Sequence, residues 1–166
     1  MTSTSDAFAE RHDWKLFRAR AFSEALDGLE AELVRLAAER PDDASSHPKA
    51  KLLARILNLI LDEIPRDPNA ATYQLANTLG PSHRHWRRAK FLQRFRLFFR
   101  FDSASRIIIY AWVNDENTLR KAGSRSDPYA VFLRRLNDGN PPDGWDDLLA
   151  DAKQAVNKRE NWTSLK

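Results

Sequence analysis

The spacing of apolar residues changes from a helical period to a strand period near the middle of the chain, and this change constrains the possible folds most. In residues 22–36 the apolar side chains recur at steps of three and four residues, which predicts an amphipathic helix. A second apolar stripe, residues 52–64, covers more of the helix circumference and ends at Pro65. We therefore expect two N-terminal helices whose apolar faces form core and take no part in chemistry.

The period of two begins in residues 94–101, where odd positions are leucine or phenylalanine and even positions are mostly arginine. Such a strand is expected to lay its apolar face on the helices and to turn its arginines outward. Residues 86–92 indicate a shorter preceding strand, and the β-forming run 106–113 indicates a central strand buried on both faces. Residues 14–17 are compatible with either a first strand or a packing arm.

Helix signals return after the strands. Asp127 suits an N-cap and Pro128 suits the first helical position, and a last helix is predicted for about residues 145–156. This order of elements predicts an α+β fold, with two N-terminal helices packed on a three- to four-stranded antiparallel sheet and followed by C-terminal helices. At 166 residues the chain is long enough for one domain. The predicted organisation is a polar N-terminal tail (1–13), one domain (14–153) and a C-terminal tail (154–166).

Positive charge is concentrated between Asp67 and Asp102, an interval that contains no acidic residue. Its seven cations exceed the net charge of +4 of the whole chain, so the remaining sequence is slightly acidic. A basic segment on an acidic body is typical of a polyanion-binding face. The alternative is an edge strand whose cations resist aggregation. The seven residues are Arg84, Arg87, Arg88, Lys90, Arg94, Arg96 and Arg100.

Composition excludes or disfavours several kinds of site. The absence of cysteine excludes disulfides, thiolate zinc sites and cysteine nucleophiles, and there is no glycine-rich phosphate loop or HExxH motif. His83 and His85 are a close pair without a carboxylate nearby in the sequence, which favours a solvated loop or a phosphate contact over a metal site. There is no secretory signal and no apolar run of roughly 18 residues, so we expect a cytoplasmic protein without a membrane partner.

An outward row of arginines suits two kinds of nucleic-acid chemistry. Metal-free RNA cleavage uses the ribose 2′-hydroxyl of the substrate as nucleophile, and guanidinium groups stabilise the charge that develops on the phosphate. Simple RNA binding uses the same cations to hold phosphates, with aromatic rings stacked on bases. The residues alone leave both interpretations open.

Two motifs bear a resemblance to a known family. They are the run of residues 94–100 (RFRLFFR) and the run of residues 112–120 (WVNDENTLR). With the surrounding pattern over about residues 14–150, the chain resembles YhaV-type toxins of bacterial type II toxin–antitoxin systems, and through them the RelE-like superfamily. The resemblance implies a RelE-like fold and a metal-independent endoribonuclease without cofactor, which inhibits translation and growth, with dependence on the ribosome left open.

The same resemblance implies partners. A cognate antitoxin with an AbrB-like DNA-binding domain would neutralise the toxin in a hetero-oligomer, and the complex would bind operator DNA and repress its own operon. The alternative is a non-cleaving inhibitor with a RelE/ParE-like fold that binds nucleic acid or protein.

Residue roles follow from the resemblance and from the charge pattern. The resemblance implies that Arg96 stabilises the scissile phosphate and that Lys90 acts as general base or charge stabiliser. It also implies that Arg120 is the family's second arginine, after the final strand, and that Tyr129 stacks on a base. For Tyr129 the alternative is a core tyrosine. The charge pattern predicts RNA contacts from Arg88, Arg94, Arg100, Arg87 and His85. For Arg94 and Arg100 the alternative is an ion pair with Asp115 or Glu116. We further expect that Arg96→Ala leaves the fold intact, since the side chain is predicted to face solvent, and that Asn114, Asp115 and Asn117 shape their loop.

Overall fold

The computed structural model describes residues 7–158 and places a five-stranded sheet between two pairs of helices. The strands are β1 (Ala9–Arg11), β2 (Trp14–Arg18), β3 (Arg87–Phe91), β4 (Phe95–Asp102) and β5 (Ile107–Val113). The helices are α1 (Arg20–Glu39), α2 (Pro48–Asn58), which continues through a π-helical turn (Leu59–Glu63) into α3 (Ile64–Arg66), α4 (Pro128–Asn137) and α5 (Trp145–Lys158). Each helix within these described residues is too short or too polar to span a membrane.

The sheet has the order β1-β2-β5-β4-β3 and is mixed. All neighbours are antiparallel except β2 and β5, which run parallel. The α+β class is thus confirmed, whereas the prediction of three to four antiparallel strands is corrected to five strands with one parallel pair. Strand β1 escaped prediction because three residues cannot show a period; it pairs with β2 through a two-residue turn in which His12 and Asp13 both have positive φ.

One face of the sheet packs on α1 and α2, as the apolar stripes predict. Phe22 and Leu26 of α1 and Ile56 of α2 are buried against Leu97 and Phe99 of β4. Burial in α1 is confined to its first turns: Val34, near its far end, is 71% exposed. This core therefore lies on the face of the sheet opposite to the arginines of β4.

The other face of the sheet is covered by α4 and α5, and this corrects the expectation that the arginines of β4 face outward. Phe98, which interrupts the arginines, stacks on Phe132 of α4 with ring centroids 4.1 Å apart and an angle of 9° between the ring planes. Trp86 and Trp112 complete this second core. Because the face also holds these aromatic rings, α4 packs on it, and Arg96 is only 7% exposed.

Two predicted boundaries differ from those of the described residues. Strand β1 lies before residue 14, within the predicted N-terminal tail, of which residues 1–6 fall outside the described part. Helix α5 extends to Lys158, two residues beyond its predicted end at about 156. Residues 159–166 of the predicted C-terminal tail also fall outside the described part.

Candidate active site

A buried tyrosine at the start of α4 joins two strands of the sheet. The Tyr129 hydroxyl accepts a hydrogen bond from Nε of Arg88 at 2.8 Å and another from Nε of Arg96 at 3.1 Å. Arg88 lies on β3 and Arg96 on β4, and both face the second core. Asp127 caps α4 by accepting from the backbone N–H of Tyr129 at 3.2 Å, so the helix start fixes where the hydroxyl lies.

The guanidinium groups of Arg88 and Arg96 are each held by several hydrogen bonds, and the Nη2 atom of each is not used in them. Nη1 of Arg88 donates to the carbonyl oxygens of Thr72 (3.0 Å) and Gln74 (3.2 Å), and Nη1 of Arg96 donates to those of Gln93 (3.0 Å) and Phe95 (2.9 Å). Among the described residues Nη2 of neither arginine makes a hydrogen bond, and neither atom is among the buried unpaired ones. Neither Nη2 group is therefore completely buried, and both keep N–H donors for a ligand.

Arg120 completes the arrangement from the loop that follows β5. Its guanidinium lies 4.7 Å from the centre of the Tyr129 ring, and its Nη1 is 2.6 Å from Oδ1 of Asp127. The Asp127 side chain is 5% exposed, so this ion pair is shielded on the acidic side, while Arg120 remains 32% exposed. We call Arg88, Arg96, Arg120, Asp127 and Tyr129 the Tyr129 cluster.

The loop between β5 and Arg120 is shaped by its own side chains, as predicted for Asn114 and Asp115, whereas Asn117 contributes its backbone N–H. Asn114 accepts from the backbone N–H of Arg96 at 2.7 Å through Oδ1 and donates to the carbonyl of Thr118 at 2.7 Å through Nδ2. Asp115 caps the short 3₁₀ turn Glu116–Thr118 and accepts from the N–H of Asn117 at 2.9 Å. These bonds fix the path of the WVNDENTLR run and bring its last residue, Arg120, to Tyr129.

The remaining predicted catalytic residue, Lys90, lies beside the cluster on the edge strand β3. It is exposed and pairs in register with Arg96, so the two side chains share one face of the sheet. Arg94, also exposed, donates through Nε to the carbonyl of Arg120 at 3.1 Å. Lys90 and Arg94 thus form a solvated cationic margin around the more buried arginines.

Arg100, His85 and Arg87, which were predicted to bind RNA, lie elsewhere. Arg100 is half-buried between the rings of Trp86 (5.7 Å) and Trp145 (5.4 Å), roughly 13 Å along β4 from Arg96. Burial lowers the pKa of Arg100 below its usual value. Arg87 points to the opposite face of the sheet, where its guanidinium lies 5.4 Å from the centre of the Phe101 ring.

His85 belongs to a second cluster, whose carboxylate the sequence interpretation missed. His83 Nδ1 lies 3.2 Å, and His85 Nε2 3.0 Å, from Oδ1 of Asp143. Nε1 of Trp86 donates to the same oxygen at 2.7 Å. Burial raises the pKa of Asp143, but the hydrogen bonds from Trp86 and His85 outweigh it, so that the pKa of Asp143 lies below its ordinary value. The expectation that no carboxylate joins the two histidines is therefore wrong, because the fold supplies one from 58 residues away.

The buried position of Tyr129 bears on its two predicted roles. The tyrosine is 7% exposed, with Phe98 packed edge-on at 5.6 Å and Arg120 over its ring. Little of the ring is open to a nucleotide base, which favours the alternative of a core tyrosine. Unlike a tyrosine that only fills space in a core, Tyr129 also binds two arginines through its hydroxyl. The sequence offers no signal for this pairing, since Tyr129 is 41 residues from Arg88 and 33 from Arg96.

Fold and site together define a small α+β protein with a preorganised cluster of arginines, suited to a phosphate-bearing ligand. Residues 16–153 match the YhaV toxin family, described as a toxin with endonuclease activity, of a toxin–antitoxin system. The chain belongs to the YhaV family, which confirms the predicted resemblance and the prediction of a nuclease toxin.

Curated relatives agree with this assignment. The chain is 35% identical to "Toxin YhaV" of Escherichia coli O6:H1 (strain CFT073) over 86% of its own length and 94% of that protein. It is also 35% identical to "Ribonuclease toxin YhaV" of Escherichia coli K12, over 85% of its length and 93% of that protein. No solved structure matches the chain.

Proposed function

We propose that this chain is an endoribonuclease toxin that cleaves RNA at the Tyr129 cluster without a metal ion. The observation that supports it best is the convergence of three arginines on one tyrosine, two through its hydroxyl and one over its ring. Family membership supplies the nuclease activity, and the name of the K12 relative supplies RNA as the substrate.

The chemistry proposed for the cluster is a transesterification within the substrate. The ribose 2′-hydroxyl attacks the adjacent phosphorus, its proton passes to a base, and the bond to the 5′-oxygen of the next nucleotide breaks as that oxygen gains a proton. The products are a 2′,3′-cyclic phosphate and a 5′-hydroxyl end. The Nη2 groups of Arg88 and Arg96, which have no partner among the described residues, would donate to the phosphate oxygens as negative charge develops.

The other residues have distinct proposed roles. Arg120, with a third of its side chain exposed, would stabilise the same charge from the loop side. Lys90, exposed and across from Arg96, is the group placed to accept or donate a proton near the phosphate. Tyr129 is a positioning residue, since its hydroxyl orients both Nε donors. Arg94 would hold the RNA backbone beside the cluster, whereas Arg100, Arg87 and His85 lie away from the reacting phosphate.

The partners and the cellular role belong to the same proposal. Membership of a toxin–antitoxin family supports a cognate antitoxin, and an acidic antitoxin segment is complementary in charge to the basic margin formed by Lys90 and Arg94. We propose that this antitoxin has an AbrB-like DNA-binding domain and that the complex represses its own operon. Cleavage of mRNA, free or on the ribosome, would inhibit translation in the cytoplasm.

Labelled RNA incubated with the purified protein in EDTA, with and without ribosomes, tests the proposal. Products that end in a 2′,3′-cyclic phosphate are expected in at least one of the two reactions. Intact RNA in both, together with tight binding, would instead support the non-cleaving inhibitor. Lys51→Ala, which removes an exposed cation from α2 far along the chain from the cluster, is the matched control and should cleave as the unchanged protein does.

A further inference from the structure

The cluster of His83, His85 and Asp143 plays no part in the proposed cleavage and joins two separate parts of the fold. The histidines lie at the short 3₁₀ turn Pro81–His83 and directly after it, just before β3, whereas Asp143 lies between α4 and α5. One nitrogen of each imidazole and one carboxylate oxygen all lie within 4.8 Å of one another. Among the described residues this is the one group of three histidine or acidic side chains close enough to share an ion.

The donor atoms are chemically selective. Two imidazoles and one carboxylate suit zinc, cobalt or nickel, whereas magnesium and calcium prefer ligand sets made of oxygen. With metal–ligand distances of about 2.0–2.1 Å, two ligands of a tetrahedral zinc lie roughly 3.3 Å apart. The Asp143 oxygen is already 3.2 Å from His83 Nδ1 and 3.0 Å from His85 Nε2. The two imidazole nitrogens lie within 4.8 Å of each other, so they would have to approach by no more than roughly 1.5 Å for three ligands to surround an ion.

The carboxylate is also held in place by groups that are not ligands. Trp86 Nε1 donates to Oδ1 of Asp143 at 2.7 Å, and Arg100 Nη1 donates to the Asp143 backbone carbonyl at 2.7 Å. Such outer hydrogen bonds orient metal ligands in known sites. Arg100 is a positive charge beside the site, but its guanidinium is bonded to that carbonyl and lies against two tryptophan rings. It would weaken binding of a divalent ion without occupying its position.

We propose that His83, His85 and Asp143 bind zinc or a similar divalent transition ion, with a fourth position open to water. The side chains are 16%, 34% and 39% exposed, so an ion can enter and a solvent ligand can complete its shell. The bound ion ties the segment before β3 to the α4–α5 connection, and so stabilises the half of the fold that covers the Tyr129 cluster. This site is separate from that cluster and does not depend on the proposed cleavage mechanism.

Titration of the full-length, untagged protein with zinc alone tests the proposal, followed by calorimetry and by thermal melting. We expect one equivalent to bind, and the melting temperature to rise by roughly 5–10 °C when zinc is about 100-fold above its dissociation constant. Cobalt should give visible absorption bands of a four- or five-coordinate ion. His85→Ala should abolish both signals. Asp143→Asn should weaken them strongly while its amide oxygen keeps an acceptor for Trp86.

The matched control is His47→Asn, which removes a histidine elsewhere in the chain but keeps a side chain that can cap α2. It should bind zinc as the unchanged protein does. The proposal is overturned if no stoichiometric zinc binding occurs up to millimolar zinc, or if binding survives both His85→Ala and Asp143→Asn. RNA cleavage in EDTA is measured in parallel, and its presence or absence bears on the proposed function alone.

Discussion

Replacing Arg96 by lysine tests the proposed role of the Tyr129 cluster most directly. Lysine keeps the positive charge but lacks the planar fork through which Arg96 bonds Tyr129, Gln93 and Phe95 while keeping the Nη2 donors unused. Removal of one preorganised donor from an oxyanion site lowers rates by about 10²–10³-fold, equivalent to about 2.7–4 kcal/mol. We expect a loss of cleavage rate in that range for Arg96→Lys, and at least as large a loss for Arg96→Ala.

The same substitutions should also reduce stability, because Arg96 is buried and does not face solvent as expected from the sequence. Arg96 is 7% exposed, and its side chain donates one buried and two partly buried hydrogen bonds. Their loss typically costs about 1–3 kcal/mol. For a chain of this size that corresponds to a fall of roughly 2–12 °C in melting temperature. Single-turnover cleavage should therefore be measured well below the melting temperature of each variant, which is followed by circular dichroism.

Comparison with Lys51→Ala distinguishes a loss of cleavage chemistry from a loss of stability and from a loss of overall positive charge. That control should retain both cleavage rate and melting temperature, because the lysine is exposed on α2. If Arg96→Lys cleaves RNA within about threefold of the unchanged protein, a loss of well under 1 kcal/mol, the guanidinium does not act on the transition state. The cluster would then be a structural feature of the second core.

Substitutions at three further positions test the rest of the Tyr129 cluster and the exposed lysine beside it. Tyr129→Phe removes the hydroxyl that accepts from two buried guanidinium groups. We expect the free energy of unfolding in urea to fall by about 1–3 kcal/mol, and cleavage to slow although the cations that contact RNA are unchanged. Asp127→Ala removes both the cap of α4 and the ion-pair partner of Arg120, and should lower the free energy of unfolding in urea by about 0.5–2 kcal/mol. In the same assay Asp127→Asn should keep most of that stability, although it lacks the ion pair. Lys90→Ala should change stability by no more than about 0.5 kcal/mol, because the side chain is exposed, yet should slow cleavage; unchanged kinetics would remove Lys90 from the mechanism.

Local patterns were sufficient to predict most of the helices and strands, because each pattern reports on its own segment. The helical stripes and the alternation in residues 94–101 correspond to α1, α2 and β4, and the cap signal at Asp127 marks the start of α4. Pairing was not predictable in the same way. Nothing in the run 14–17 specifies that β2 lies parallel to β5, because that partner is chosen by the packing of the whole chain.

The candidate site shows the same division between local and distant information. The motif residues Arg96 and Arg120 were found from their own segments, and the structure brings both to Tyr129. The contribution of Asp143 could not be found, since it meets His85 across 58 residues. Phe98 was a signal that could have been used, because an aromatic residue among arginines on one face of a strand indicates that part of that face is covered.

The covering of that face explains how a core and a cationic site can coexist. Burying a guanidinium is unfavourable unless its donors are satisfied, and here backbone carbonyls and the Tyr129 hydroxyl accept from Nε and Nη1. Helix α4 supplies that hydroxyl and Phe132 from successive turns, so the contact that closes the second core also aligns the arginines. Loosening α4 should consequently impair cleavage even where no cation is touched, since donors that must reorient around a developing charge stabilise it less than donors already in place.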